Sequence, residues 1–235
     1  MSRLHVLSGG AAQGLVGSLA PAFKAQTGLD IAGEFGAVGL MVDKLRGGTP
    51  ADIVILTAAL VARLAEEELV VHSSISNIGL VETALAVRAN DPKAVVTDAA
   101  SLREALRASD AVFVPDTKTS TAGIHVAKVL EQLGIGDEVA SRLKIFANGA
   151  TAMKHLAVSD AKRPLGCTQA TEIISTAGVV LSGSLPSGCE LSTMYTAAVT
   201  TRAAHSAQGD SLIALLTSDT QEPLRQRAGF LSPLG

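Results

Sequence analysis

The residues best suited to chemistry lie in short turns of small or polar side chains between apolar runs and amphipathic stretches. The first is Ser8-Gly9-Gly10-Ala11-Ala12-Gln13-Gly14. With no bulky side chain in the way, backbone amides there can approach a ligand closely, and a helix starting at that point favours negative charge. The same residues serve equally as a tight strand–helix turn. The dinucleotide fingerprint requires glycine at its first, third and sixth places, and Ala11 stands at the third. Glu34 does stand where a ribose-binding acid would. The phosphate-loop pattern also fails, because Leu15 and Val16 occupy its Lys and Ser/Thr places. The sequence therefore calls for no cofactor.

Two further turns open helices after apolar runs. One is Gly36-Ala37-Val38-Gly39; the other runs Thr117-Lys118-Thr119-Ser120-Thr121-Ala122-Gly123. Hydroxyls and amides of the second can donate to carboxylate or oxyanion atoms, or Ser120 or Thr121 can simply cap the helix. Thr151, in the first turn of a helix expected over 150–158, joins the candidate ligand contacts. His125 follows the second turn closely. A helix N-terminus disfavours protonation of His125, so a neutral imidazole there can act as general base or hydrogen-bond donor. A histidine at an ordinary surface is the plainer reading. Gln169 and Glu172 follow the apolar run ending at Thr168. Gln169 can aim its amide at a ligand; capping and the helix dipole already account for Glu172. No serine-nucleophile elbow occurs.

Composition narrows the partners. The chain has 235 residues, 47% hydrophobic and 17% charged, which is a globular balance. Aromatics are 3%, with one Tyr and no Trp, which argues against base stacking on single-stranded nucleic acid. The net charge is −3 and the basic residues are scattered, so neither nucleic acid nor an anionic membrane is expected as partner. No run is long enough to span a bilayer. Cys167 and Cys189 are expected as buried thiols, and no Cys/His spacing suggests zinc. The start Met1-Ser2-Arg3 leads directly into an apolar run broken by Ser8, Gly9 and Gly10, unlike a secretory signal. As written, the chain is expected in the cytoplasm, or in the periplasm if a signal peptide has been removed.

The elements that must position these turns alternate. Strands are expected over 4–7, 30–35 and 51–56, each followed by a helix; Gly28 stops the first helix and Pro21 disturbs it. Leu15, Leu19 and Phe23 form the inward face of that helix. Leu40, Val42 or Met41, and Leu45 do so in the next. Leu60, Val61 and Leu64 do so in the third, which Thr57 can cap. Right-handed crossovers make such a β-α-β-α-β-α run a parallel sheet with helices on both faces. A long strand over 80–88 leads to a second set: helix 102–108, strand 111–114, helix 122–133, strand 144–146, helix 150–158, strand 165–168, helix 170–176 and strand 179–181. An extended stretch over 191–200 and helices over 207–217 and 221–228 close the chain. The fold class expected is α/β with two lobes, each a mainly parallel sheet flanked by helices, joined by two crossing segments. Lobe I takes 1–82 plus 200–235, and lobe II, inserted, takes 83–199. In open α/β sheets ligands sit beyond the carboxyl ends of strands, so the turns can converge on one cleft.

With these features in hand, the chain resembles the molybdate-binding branch of the type II periplasmic-binding-protein superfamily. The resemblance is carried by 23–31 (FKAQTGLDI), 35–40 (FGAVGL), 48–55 (GTPADIVI), 122–125 (AGIH) and 164–166 (PLG). It implies an interlobe cleft holding a small anion, and an ABC permease as partner. Ala11, Val38 and Gln169 replace three hydroxyl ligands of that branch, which argues against molybdate or tungstate. The pattern is closer to a generic substrate-binding group that includes bacterial aconitate isomerase. That likeness implies a polycarboxylate and an allylic proton shift, with His125 as base and Glu172 behind it. The amides of Gly10, Ala11, Thr121 and Ala122 would then hold the developing charge. The alternative is the substrate-binding component of an ABC transporter.

Overall fold

The computed structural model describes residues 3–232. Residues 1, 2 and 233–235, which the sequence reading assigns to lobe I, lie outside the described residues. The chain divides into two compact units. One comprises the chain up to Val81 and from Thr193 onward; the other is Glu82–Ser192.

In the first unit, strands β1 (Arg3–Gly9), β2 (Asp30–Gly36) and β3 (Ile53–Thr57) are parallel, with β1 central. Strand β3 is buried along almost its whole length, as its unbroken apolar run requires. A 3-10 turn over Gly10–Ala12 leads into α1 (Gln13–Thr27). Helix α2 (Val38–Arg46) follows β2, and α3 (Ala58–Glu66) follows β3. The long strand β4 (Ser76–Arg88) carries the chain into the second unit, and β9 (Ser192–Val199) returns it, antiparallel to β3. Helices α9 (Ser206–Thr217) and α10 (Glu222–Arg227) end this unit, with α9 against α1.

Leu15, Leu19 and Phe23 are buried as their spacing predicts. In α2 the buried set is Val38, Met41, Val42 and Leu45, while Leu40 is 47% exposed; the apolar stripe starts two residues earlier than expected. Helix α1 continues through Pro21, which removes one amide from its interior without ending it. Gly28 closes it in the left-handed region at φ 75°. Thr57 does hold the N-cap position of α3, but its side chain makes no capping bond.

The second unit repeats the logic. Strands β5 (Ala111–Pro115), β6 (Leu143–Phe146) and β7 (Pro164–Gln169) are parallel, in the order β7-β5-β6. Each delivers a helix: α5 (Thr121–Gln132), α7 (Gly149–Ala157) and the short α8 (Ala170–Ile174). Helix α4 (Ala99–Ala108) precedes β5, and α6 (Gly136–Ala140), a five-residue helix that the sequence pattern does not predict, precedes β6. Strand β4 pairs antiparallel with β7 and with β8 (Val179–Ser184). One face of this sheet packs Leu85, Val112, Val114 and Cys167 against Val126, Val129 and Leu130 of α5. The other packs Ala84, Ala86 and Phe113 against Ala152, Met153 and Leu156 of α7.

Candidate functional site

Because β5, β6 and β7 are parallel, their carboxyl ends lie along one edge of the second unit's sheet, where the turns into α5, α7 and α8 also lie. Successive side chains of a strand alternate between faces. Cys167 and Leu85 belong to the α5 face, so Gln169 and Thr83, each two residues away, share it.

Gln169 ends β7 and is 3% exposed, yet neither its Oε1 nor its Nε2 has a hydrogen-bond partner. Thr83 stands directly opposite it across the antiparallel β4–β7 pair, and the buried Thr83 hydroxyl is also unpartnered. Thr171, two residues beyond Gln169, carries a third such hydroxyl. Buried polar groups are almost always paired, and each left unpaired costs about 1–3 kcal/mol. Gln169 and Thr83, opposite one another, and Thr171, two residues on in sequence, all bear this cost.

The turn into α5 is built by Asp116. Its Oδ1 accepts from the amides of Lys118 (2.9 Å) and Thr119 (2.7 Å) and from the Thr119 hydroxyl (2.8 Å). The Lys118 amide and then the Thr119 hydroxyl hold its carboxyl below the ordinary aspartate range. Gly123 lets the helix start tightly against this turn: a Cβ there would lie 2.1 Å from the Asp116 carbonyl oxygen. Ser120 occupies the N-cap position, but its side chain makes no capping bond. Thr121 is half-buried and Ala122 fully buried at the helix start. Thus the Thr119 hydroxyl is committed to Asp116, whereas that of Ser120 is not spent on the helix.

His125 lies one turn further along α5. Its Nε2 is 2.8 Å from the Cys189 carbonyl oxygen. A carbonyl only accepts, so Nε2 carries the proton and donates, and in the neutral ring Nδ1 is the basic nitrogen.

Glu172 and Thr151 belong to the opposite face, with α7. The Asn148 side chain caps α7 by accepting from the Thr151 amide at 2.8 Å. The Glu172 carboxyl is buried and accepts from the Thr168 hydroxyl at 2.5 Å and from the amides of Ala150, Gln169 and Gly149. Burial pushes its pKa above the ordinary glutamate value, against the pull of those four donors. The start of α7 is thus filled by a carboxylate of the chain itself. Gln169 and Glu172, three residues apart, serve different faces.

In the first unit the small-residue turns are tightly packed. The buried Ser8 hydroxyl donates to the Gly9 carbonyl at 2.8 Å. A Cβ on Gly9 would come within 2.8 Å of Val38 Cγ1 and 2.9 Å of Tyr195 Cε1. Gly10 and Ala11 form the 3-10 turn, with Ala11 buried. Ala37 is the buried N-cap of α2, followed by buried Val38 and half-buried Gly39. Glu34 is paired with Lys44 on the surface instead of facing a ligand. Tyr195, the one tyrosine, is buried at the carboxyl end of β3, opposite Thr57.

Reasoning from sequence did not single out Thr83 or Thr171, whose buried hydroxyls are unpartnered. Thr83 beside Glu82, inside an otherwise apolar strand, was the available signal. A depression of about 310 Å³ lined in part by Lys93, Lys162 and Arg163 opens at the other end of β7. Among the described residues no cluster of His, Cys, Asp or Glu could hold a metal, and no helix is long and apolar enough to cross a membrane.

The sequence profile of bacterial extracellular solute-binding proteins matches residues 4–231. The chain belongs to this family. It is also similar to the aconitate isomerase of a Pseudomonas species, 23% identical over 227 residues, 93% of this chain and 83% of that protein. Among solved structures, the Azotobacter vinelandii periplasmic molybdate-binding protein is similar with a TM-score of 0.81, 18% identity and coverage of 99% of this chain and 100% of that one. The sulfate-binding protein SubI from Mycobacterium tuberculosis H37Rv is similar with a TM-score of 0.74, 19% identity and coverage of 98% and 86%. These likenesses establish the type II periplasmic-binding-protein fold.

Proposed function

We propose that the chain binds a small anionic solute and acts as the substrate-binding component of an ABC-type transporter, handing that solute to a membrane permease. The observation that carries this reading is the buried, unpartnered amide of Gln169 across the strand pair from the unpartnered hydroxyl of Thr83, with that of Thr171 two residues on. These neutral donors, with the turn at Ser120–Ala122 on the same sheet edge, suit an anion held by hydrogen bonds. Membership of a solute-binding family and similarity to proteins named for molybdate and sulfate support it. Calorimetric titration with phosphate, sulfate, molybdate and small hydroxy- and polycarboxylates tests it. Saturable binding of one class, weakened in Gln169→Leu, is expected. Heat from none of them, with no change in melting temperature, would sink the reading.

A second reading is favoured by the likeness to aconitate isomerase along 93% of the chain. In it, Nδ1 of His125 takes an allylic proton from an unsaturated polycarboxylate and returns it at another carbon, while amides of the α5 turn hold the enolate-like charge. Glu172, enclosed by four donors, then has a structural role. Proton NMR with cis- and trans-aconitate in deuterated water decides between the two. Interconversion or deuterium uptake that disappears in His125→Ala supports the enzyme; line-broadening without exchange supports the carrier.

A further inference from the structure

Gln169 buries both halves of an amide, and neither has a partner in the chain. The argument therefore does not depend on which way the amide is turned. Nε2 seeks an acceptor and Oε1 seeks a donor. The hydroxyls of Thr83, on the residue opposite, and of Thr171, two residues on, are also unpartnered, so neither bonds to this amide. A fully deprotonated oxyanion such as sulfate or molybdate brings acceptors alone. It can satisfy Nε2 and the hydroxyls, but Oε1 stays buried without a donor. A group bearing its own O–H satisfies both halves of the amide at once. Sites built around a hydrogen bond to a solute O–H reject the analogue lacking it far more strongly than apolar pockets discriminate by size.

We propose that the solute is an anion with an O–H donor beside its charged oxygens, as in a hydroxycarboxylate or a hydrogen phosphate, and that Gln169 is the residue that reads this O–H. The proposal rests on the solute-binding reading above and sharpens it to a substrate class.

Matched pairs test it by calorimetry near neutral pH: malate against succinate, and phosphate against sulfate. In one pair the O–H-bearing member should bind at least about tenfold more tightly, the equivalent of one well-made hydrogen bond. The pair that shows the preference identifies carboxylate or phosphate as the source. In Gln169→Met the preference should shrink to less than about threefold, because both halves of the amide are gone. The wild-type comparison needs no variant, and Gln169→Asn, which keeps both groups on a shorter stem, should bind more weakly with the same direction of preference. If the O–H-free member binds as well in both pairs, or the preference survives Gln169→Met, the proposal is overturned while solute binding stands. If none of the four anions binds while molybdate or another anion does, the proposal is overturned and solute binding stands.

Discussion

The hydroxyl of Thr168 donates to the carboxyl of Glu172 over 2.5 Å, inside a buried space where backbone amides supply the remaining donors. The pair joins the end of β7 to α8, and the amides of Gly149 and Ala150 tie the same carboxyl to the start of α7. Because burial raises the Glu172 pKa above the ordinary 4.5, the folded chain holds this proton more tightly than the unfolded chain does. The contribution to stability is then fully present below the unfolded value and is lost as pH rises through the folded one. Urea unfolding of wild type and Glu172→Gln across this window should show the wild type losing ground to the variant as pH increases, then levelling off. A difference independent of pH would mean that the carboxyl titrates normally.

Gly149, the first residue of α7, has no room for a side chain. A Cβ there would lie 1.9 Å from Glu172 Oε2 and 2.0 Å from Thr168 Oγ1. Gly149→Ala must displace a buried carboxylate from its donors, at an expected cost of about 3 kcal/mol. Gly17, on the exposed side of α1, meets no atom within 4 Å, so Gly17→Ala should instead raise stability by about 0.5–1 kcal/mol through the unfolded state. Thermal melts of the two variants should move in opposite directions.

The strands and helices were legible because their signals are local: the continuous apolar run of β3, the 3.6-residue stripe of α1, glycine at the helix stop. The start of the α2 stripe was not, because Val38 packs beside Gly9 of β1, a contact between elements that helical spacing does not encode. The position of Gln169 at the end of a buried strand was legible from the apolar run before it. Its companions were not, since the pairing of Thr83 with Gln169 is a matter of register between strands 86 residues apart in sequence, which spacing alone does not set. Glu172 shows the reverse problem: its type and place suggested chemistry or simple capping, while its partners on α7 come from a fold contact that periodicity does not reveal.

Two side chains of α5 pin the loop after β8. His125 Nε2 donates to the Cys189 carbonyl at 2.8 Å, and Gln132 Nε2, seven residues on, to the Gly188 carbonyl at 2.9 Å. Each bond is worth about 1 kcal/mol. The double variant His125→Phe with Gln132→Ala should release this loop without unfolding the sheet. Limited proteolysis should then cut faster within residues 185–191 while far-ultraviolet circular dichroism stays unchanged. Equal cutting rates would show that Leu185 and Cys189, buried against α5, hold the loop unaided.

Gln169 should trade stability for binding. Without solute, its buried amide pays a desolvation cost that no bond within the chain returns. Gln169→Met keeps the length and removes the polar atoms, so the solute-free variant should be more stable than wild type by about 1–2 kcal/mol. Saturating solute should narrow or close that gap. A ligand at 100 times its dissociation constant adds about 2.7 kcal/mol to the wild type, and only about 1.4 kcal/mol to a variant that binds it tenfold more weakly. Denaturation curves of the two proteins, with and without the solute identified by titration, should therefore converge. A variant less stable than wild type in the absence of solute would mean that the amide is already satisfied within the folded chain, and the case for Gln169 as a solute contact would fail with it.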